Sequence, residues 1–312
     1  MDGFKDYFIA EFVDEYVSGL ITRREAIRKL AAVTGSVAVA ASILAACTPA
    51  QPPAQPSPAG PSPAPTTPPT PQAGVTVPPD DPAIEVAAVS FPAEDGATIL
   101  AYLSRPRGAG PFPAVMVCHE NRGLVEHIKD VTRRLAKAGY VGLAPDLLSR
   151  EGGTDRLDST QVPGILGNVP PTRFVQDFQA TFRYLQAQPF VRRDRIGMVG
   201  FCFGGGVTWR VATKLPELRA AVVFYGPNPP LEDVPGIQAP VLAIYAERDN
   251  FVNPGIPAIE NAMRQNGKVF ERVIYPNTDH AFHNDTGPRY NAGAARDAWS
   301  RTLAWFERYL KA

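Results

Sequence analysis

The stretch Arg195-Ile196-Gly197-Met198-Val199-Gly200-Phe201-Cys202-Phe203-Gly204-Gly205-Gly206 decides how the rest of the chain is read. An apolar, strand-like run leads into Gly200-Phe201-Cys202-Phe203-Gly204, and a helix-compatible run starts at Val207. A strand that turns into a helix so abruptly leaves no room for a Cβ on either side of the turn, hence glycine at 200 and 204. The turn lifts the Cys202 thiol above a sheet, at a helix N-terminus. There the dipole and free N–H groups favour a thiolate and a nearby oxyanion. The plainer alternative is a glycine-rich turn around a buried structural cysteine, a residue type often found inside. The stretch is not a phosphate loop, because no Lys-Ser/Thr follows the glycines. Nor does it have dinucleotide-fingerprint spacing.

A thiol so placed needs a base, and the base needs an orienting acid. Pro240–Ala246 reads as a buried strand running into Glu247-Arg248-Asp249-Asn250, so Asp249 stands just past a strand end. Catalytic side chains collect at such ends in parallel sheets. Val269–Tyr275 reads as another strand, with His280 in the loop after it. His280 can deprotonate the thiol, and Asp249 can fix its tautomer; Glu247 and Asp279 are rival acids. The order nucleophile, acid, histidine is that of the α/β-hydrolases, whose nucleophile elbow the glycine–cysteine turn matches with cysteine in place of serine. The four histidines are His119, His127, His280 and His283. His280 and His283 lack a third ligand at a familiar spacing, so no metal is expected. No cofactor is expected either.

Over residues 84–312 the sequence resembles the dienelactone hydrolase family. The likeness is carried by Gly-Phe-Cys-Phe-Gly-Gly at 200–205, Glu247-Arg248-Asp249 and Asp279-His280-Ala281-Phe282. Cys118-His119-Glu120-Asn121-Arg122-Gly123 and Ala144-Pro145-Asp146-Leu147-Leu148-Ser149-Arg150 add to it. The resemblance implies an α/β-hydrolase fold with Cys202, His280 and Asp249 as triad. It further implies that Glu120 contacts the resting thiol and takes part in its activation. The oxyanion hole would be the backbone N–H groups of Asn121 and Phe203. Members that cleave carboxylated lactones hold the carboxylate with two arginines. Arg150 matches the first, but Asn284 stands where the second is expected, four residues after His280. Arg122 is a candidate replacement. The implied activity is hydrolysis of a small ester or lactone through a thioester. A general carboxylesterase or thioesterase, or a non-catalytic binding protein on the same scaffold, are the alternatives.

The chain has 312 residues and a formal net charge of zero, so nothing argues for nucleic acid. The last 230 or so residues have ordinary globular composition, enough for one α/β domain, expected to be monomeric. The N-terminus carries an address. Arg23-Arg24 precede an uncharged run from Leu30 to Ala46 that ends Leu44-Ala45-Ala46-Cys47. Twin arginines before a moderately apolar run resemble a Tat export signal, and the ending resembles a bacterial lipobox. The expectation is a signal peptide over residues 1–46 and a lipid on Cys47. That would anchor the protein to the outer face of the cytoplasmic membrane. An uncleaved membrane helix is the alternative, disfavoured by the Ala, Gly and Ser content of the run. Residues 1–20 read as an amphipathic preface without legible chemistry. Residues 47–83 form a tether with fourteen of the chain's 33 prolines. Such a tract is expected to be extended and partly polyproline II.

The remaining pattern is a hairpin over 84–91 and 98–104, then strands near 113–118, 140–144, 195–199, 219–225, 240–246 and 269–275. Helical patterns lie near 127–138, 172–187, 204–214, 255–266 and 292–310. This alternation predicts a mostly parallel sheet covered on both faces. Residues 151–171 are irregular and expected to edge the pocket.

Overall fold

The computed structural model describes residues 3–47 and 76–312; most of the proline-rich tether lies outside the described residues. Three helices come first: α1 (Lys5–Val17), α2 (Arg23–Thr34) and α3 (Val37–Cys47). Then follow β1 (Ile84–Pro92), β2 (Thr98–Pro106), β3 (Phe112–Cys118), α4 (Glu126–Lys137) and β4 (Val141–Pro145). Next are α5 (Val162–Asn168), α6 (Pro171–Gln186), β5 (Val191–Phe201), α7 (Phe203–Lys214) and β6 (Ala221–Phe224). The chain ends with β7 (Val241–Arg248), α8 (Ile256–Gln265), β8 (Phe270–Asp279) and α9 (Ala292–Phe306).

The eight strands form one sheet in the order β1-β2-β4-β3-β5-β6-β7-β8. β1 and β2 pair as the antiparallel hairpin, β2 joins β4 antiparallel, and every later pairing is parallel. This is the α/β-hydrolase architecture expected from the sequence. The central strands are apolar because both faces are covered: β3 from Pro113, β4, β6 and β7 up to Ala246 are buried throughout. Parallel strands all point one way, so the loops after β3, β5, β7 and β8 open on one edge of the sheet. Those loops carry Glu120, Cys202, Asp249 and His280.

Two stretches depart from the expectation. Residues 151–171 are not wholly irregular, since α5 lies within them and packs against the N-terminal helices. A Cβ on Gly164 would fall 2.5 Å from the carbonyl oxygen of Ala32, so glycine there lets α5 close on α2. The amphipathic preface is α1, whose Tyr7, Phe8 and Phe12, with the preceding Phe4, belong to the main hydrophobic core. Among the described residues no helix is long and apolar enough to cross a membrane.

Candidate active site

The turn after β5 has the geometry that its glycines require. Cys202 has φ 59° and ψ −126°, a positive φ that a side chain rarely adopts. A Cβ on Gly200 would lie 2.1 Å from the Gly204 carbonyl oxygen, and one on Gly204 2.4 Å from that of His119. No real contact is that short, so the turn cannot form with alanine at either place. Strain held this way at one non-glycine residue is typical of functional sites. The turn sets the sulfur at the first turn of α7, where the Phe203 backbone N–H hydrogen-bonds it.

Asp249 and His280 leave the ends of β7 and β8 and meet at the thiol. His280 Nδ1 lies 2.7 Å from Asp249 Oδ2, with both side chains buried. The other Asp249 oxygen accepts the Val252 N–H at 3.1 Å, which fixes the carboxylate plane. An ionised carboxylate only accepts, so Nδ1 carries the proton and Nε2 faces the sulfur side. Burial lowers the His280 pKa, but the Asp249 carboxylate, joined by that of Glu11, opposes this, and the net shift is upward. The rival acids sit elsewhere: Asp279 pairs with Arg248, and Glu247 accepts the Asn277 N–H.

The resemblance implied Glu120 as the thiol's partner; the thiol's hydrogen bond goes instead to a carboxylate of α1, Glu11. Cys202 Sγ donates to Glu11 Oε1 at 3.3 Å, and the Tyr7 hydroxyl lies 3.1 Å from the sulfur and 3.2 Å from His280 Nε2. Glu120 is buried nearby and accepts from Asn284 Nδ2 at 2.6 Å. The residue standing at the second arginine position thus holds Glu120 in place. Asn121 donates its side-chain amide to Glu11 at 2.9 Å. Burial, then the Glu11 and Glu120 charges, push the Cys202 thiol pKa well above its usual range. Burial raises Glu11 to about 7, although His280 opposes the shift. Among the described residues, donor atoms of Glu11, Cys202 and His280 lie within 4.8 Å of one another, close enough to surround a cation. Here they are bound to one another, to Tyr7 and to Asp249 instead.

The arginines divide. Arg122 is exposed and lines the cavity at Cys202 with Glu120, Asn121, His280 and Asn284. Arg150 does not line it. Its guanidinium donates to Asp177 Oδ1 at 2.6 Å and Asp95 Oδ2 at 2.8 Å, tying α6 to the hairpin turn. Asp177 is fully buried, and burial lifts its pKa to about 6 despite Arg150. The Arg150 match is therefore sequential rather than spatial. Replacing Arg150 with Ala strands a buried carboxylate, so Arg150→Ala is expected to lower stability by about 2–4 kcal/mol. Thermal melts measure that loss. Any change in kcat/KM should be equal for neutral and carboxylated esters; a selective loss on carboxylated ones would restore Arg150 to substrate binding.

Arg289 was not singled out by sequence. It lines the same cavity, pairs with Asp14 of α1 at 2.6 Å, and its charge opposes protonation of His280. It stands nine residues beyond His280, outside any motif spacing, so only the folded loop reveals it.

The sequence profile of the dienelactone hydrolase family matches residues 99–310. The chain belongs to the dienelactone hydrolase family. A protein of Methylorubrum extorquens named as a carboxymethylenebutenolidase is 37% identical over 226 residues, which are 67% of this chain and 76% of that protein. A Bradyrhizobium protein named as a 2-oxo-3-(5-oxofuran-2-ylidene)propanoate lactonase is 34% identical over 222 residues, covering 67% and 89%. The crystal structure of a dienelactone hydrolase from Klebsiella pneumoniae superposes with a TM-score of 0.68 at 33% identity. It matches 73% of this chain and 100% of its own. This family member is a carboxymethylenebutenolidase-like hydrolase of esters or lactones.

Proposed function

We propose that this hydrolase cleaves a small ester or lactone through a covalent thioester on Cys202. The observation that carries the reading is the strained turn at Cys202 facing a His280–Asp249 pair joined at 2.7 Å. Cys202 attacks the carbonyl carbon as His280 Nε2 takes the thiol proton. The N–H groups of Phe203 and Asn121 hold the oxyanion as the tetrahedral species forms. Collapse expels the alcohol oxygen, protonated by His280, and leaves the acyl group on sulfur. Water, deprotonated by His280, then attacks the thioester and returns acid and free thiol. For a lactone, the alcohol and acid are two ends of one product.

Substrate charge follows from the cations at the mouth. The related proteins are named for carboxylated lactones, and two arginines, Arg122 and Arg289, line the cavity here. Neither is the arginine expected from the family motif. The discriminating measurement is a screen of lactones and esters with and without a carboxylate. A preference of about tenfold or more in kcat/KM for carboxylated members supports an anionic substrate, since one charged contact contributes about 1.4 kcal/mol or more. No preference would assign the pocket to neutral esters. No hydrolysis of any member by protein freed of its N-terminal helices would overturn the reading.

The N-terminal region is proposed to direct export and lipid anchoring at Cys47. Supporting this, Arg23 and Arg24 are exposed on α2, and the apolar α3 ends at Cys47, where the tether begins. Substitution of both arginines by Lys should leave precursor inside the cell, and Cys47→Ser should abolish lipid attachment. Mature-length, lipid-bearing Cys47→Ser protein would refute the anchor.

A further inference from the structure

We propose that α1 is an intramolecular inhibitor that lies in the catalytic cleft and presents Tyr7 and Glu11 to Cys202 and His280. The full chain then admits no ester until the helix withdraws. The proposal rests on the assignment of Cys202 and His280 as the reacting pair.

Space is the first argument. The cavity at Cys202 holds only about 110 Å³, well below the roughly 300–1,000 Å³ of ligand sites, and Glu11 and Glu15 form part of its wall. A second cavity of about 740 Å³ is also walled by α1 and lined by Phe4, Tyr7, Ala10, Pro227, Asn228 and Phe251. α1 thus forms part of the wall of both cavities. Cys202 itself is 2% exposed.

Chemistry is the second. The Tyr7 hydroxyl stands between sulfur and imidazole, 3.1 Å from one and 3.2 Å from the other, on the path of the proton transfer. The Glu11 carboxylate takes the thiol and the Asn121 amide. A carboxylate is what ester hydrolysis leaves behind, so Glu11 mimics an acid product held at the nucleophile. Around it, Asp14 occupies Arg289 at 2.6 Å. Helix withdrawal would leave Arg122 and Arg289 free to receive an anion.

Fit is the third. Phe4, Tyr7, Phe8, Glu11 and Phe12 recur at the three- and four-residue spacing of one helix face. Phe8 and Phe12 are fully buried, and Phe4 and Phe8 lie 4.7 and 5.4 Å from the Phe203 ring beside the nucleophile. The hydrolase domain is shaped to receive them. A Cβ on Gly206 would come within 2.7 Å of the Phe4 ring, and one on Gly167 within 2.9 Å of Phe8. The domain does not need α1 to be whole, because the full Klebsiella chain corresponds to 73% of this one, and the family match begins at residue 99. If the chain is cut before Cys47, the same cut detaches the inhibitor. Activity then begins only after processing, since a detached helix loses its high effective concentration.

The test compares three proteins: the full chain, the full chain carrying Phe8→Asp and Phe12→Asp, and the chain from Thr76. Two rates are read: alkylation of Cys202 by iodoacetamide, followed on its own peptide by mass spectrometry, and hydrolysis of p-nitrophenyl acetate. A helix docked about 99% of the time lowers both rates roughly hundredfold, so the second and third proteins should exceed the first by that factor. If the double variant does not fold, the chain from Thr76 decides. Adding a peptide of residues 3–20 to it should slow both reactions. Equal rates in all three proteins overturn the proposal. So does slower hydrolysis without α1, which would make Tyr7 and Glu11 part of the working site. Faster alkylation with no hydrolysis by any protein upholds occlusion and refutes the hydrolase mechanism instead.

Discussion

Cys202→Ala is expected to abolish hydrolysis, by on the order of 10⁴-fold or more, while the protein keeps its fold. The loss is large because, among the described residues, no other nucleophile sits over Phe203 N–H and within 4.8 Å of a His280 nitrogen. Without it, attack must come from unactivated water. The fold survives because the substitution removes one buried sulfur, a change of about 1 kcal/mol, and leaves the backbone turn intact. Cys202 has φ 59°, which Ala tolerates no worse than Cys. The comparison is best made on protein freed of α1, where wild-type turnover is not masked. Rates on a lactone and a simple ester, with circular dichroism and a melting curve, separate chemistry from unfolding. A folded Cys202→Ala protein that keeps wild-type rates would remove Cys202 from the mechanism. Cys118 cannot rescue it: that thiol is buried at the end of β3, and burial alone raises its pKa.

What the sequence made legible was local. Gly200, Cys202 and Gly204 dictate their own turn, because the clashes that demand glycine lie within that turn and the adjoining loop after β3. Asp249 and His280 were readable because each follows an apolar strand, and parallel strands deliver their ends to one edge. What depended on distant contacts was not readable. Arg150 matched a family position, yet its partners Asp95 and Asp177 lie 55 and 27 residues away, and their pull takes the guanidinium out of the cavity. Glu120 matched too, but Asn284 holds it and Glu11, 191 residues from Cys202, takes the thiol. Residues 1–20 read only as an amphipathic preface; its apolar face, with Phe8 and Phe12, emerges in α1. That reading could not show that this face would be matched by gaps at Gly167 and Gly206.

His280→Ala and Asp249→Asn are expected to separate the base from the group that tunes it. Among the described residues His280→Ala removes the only imidazole at the sulfur, since His119 is bound to the Leu147 N–H, His127 to Asp285, and His283 packs against Phe201 and Phe224. A loss of about 10³- to 10⁴-fold in kcat/KM is expected. Asp249→Asn keeps the imidazole but replaces an acceptor with an amide that can hold the wrong tautomer, so a loss of similar order is expected. Its pH profile carries the distinguishing sign. Burial pushes the His280 pKa down, and the Asp249 carboxylate is the largest opposing influence in a net upward shift. Without that charge, the largest opposition to burial is gone and the pKa falls. The acid limb of kcat/KM, where a protonated His280 cannot act as base, should then move to lower pH in Asp249→Asn. A structural role for Asp249 would lower stability and rate without moving that limb. An unmoved limb in a folded Asp249→Asn protein would therefore break the link between the 2.7 Å His280–Asp249 contact and catalysis.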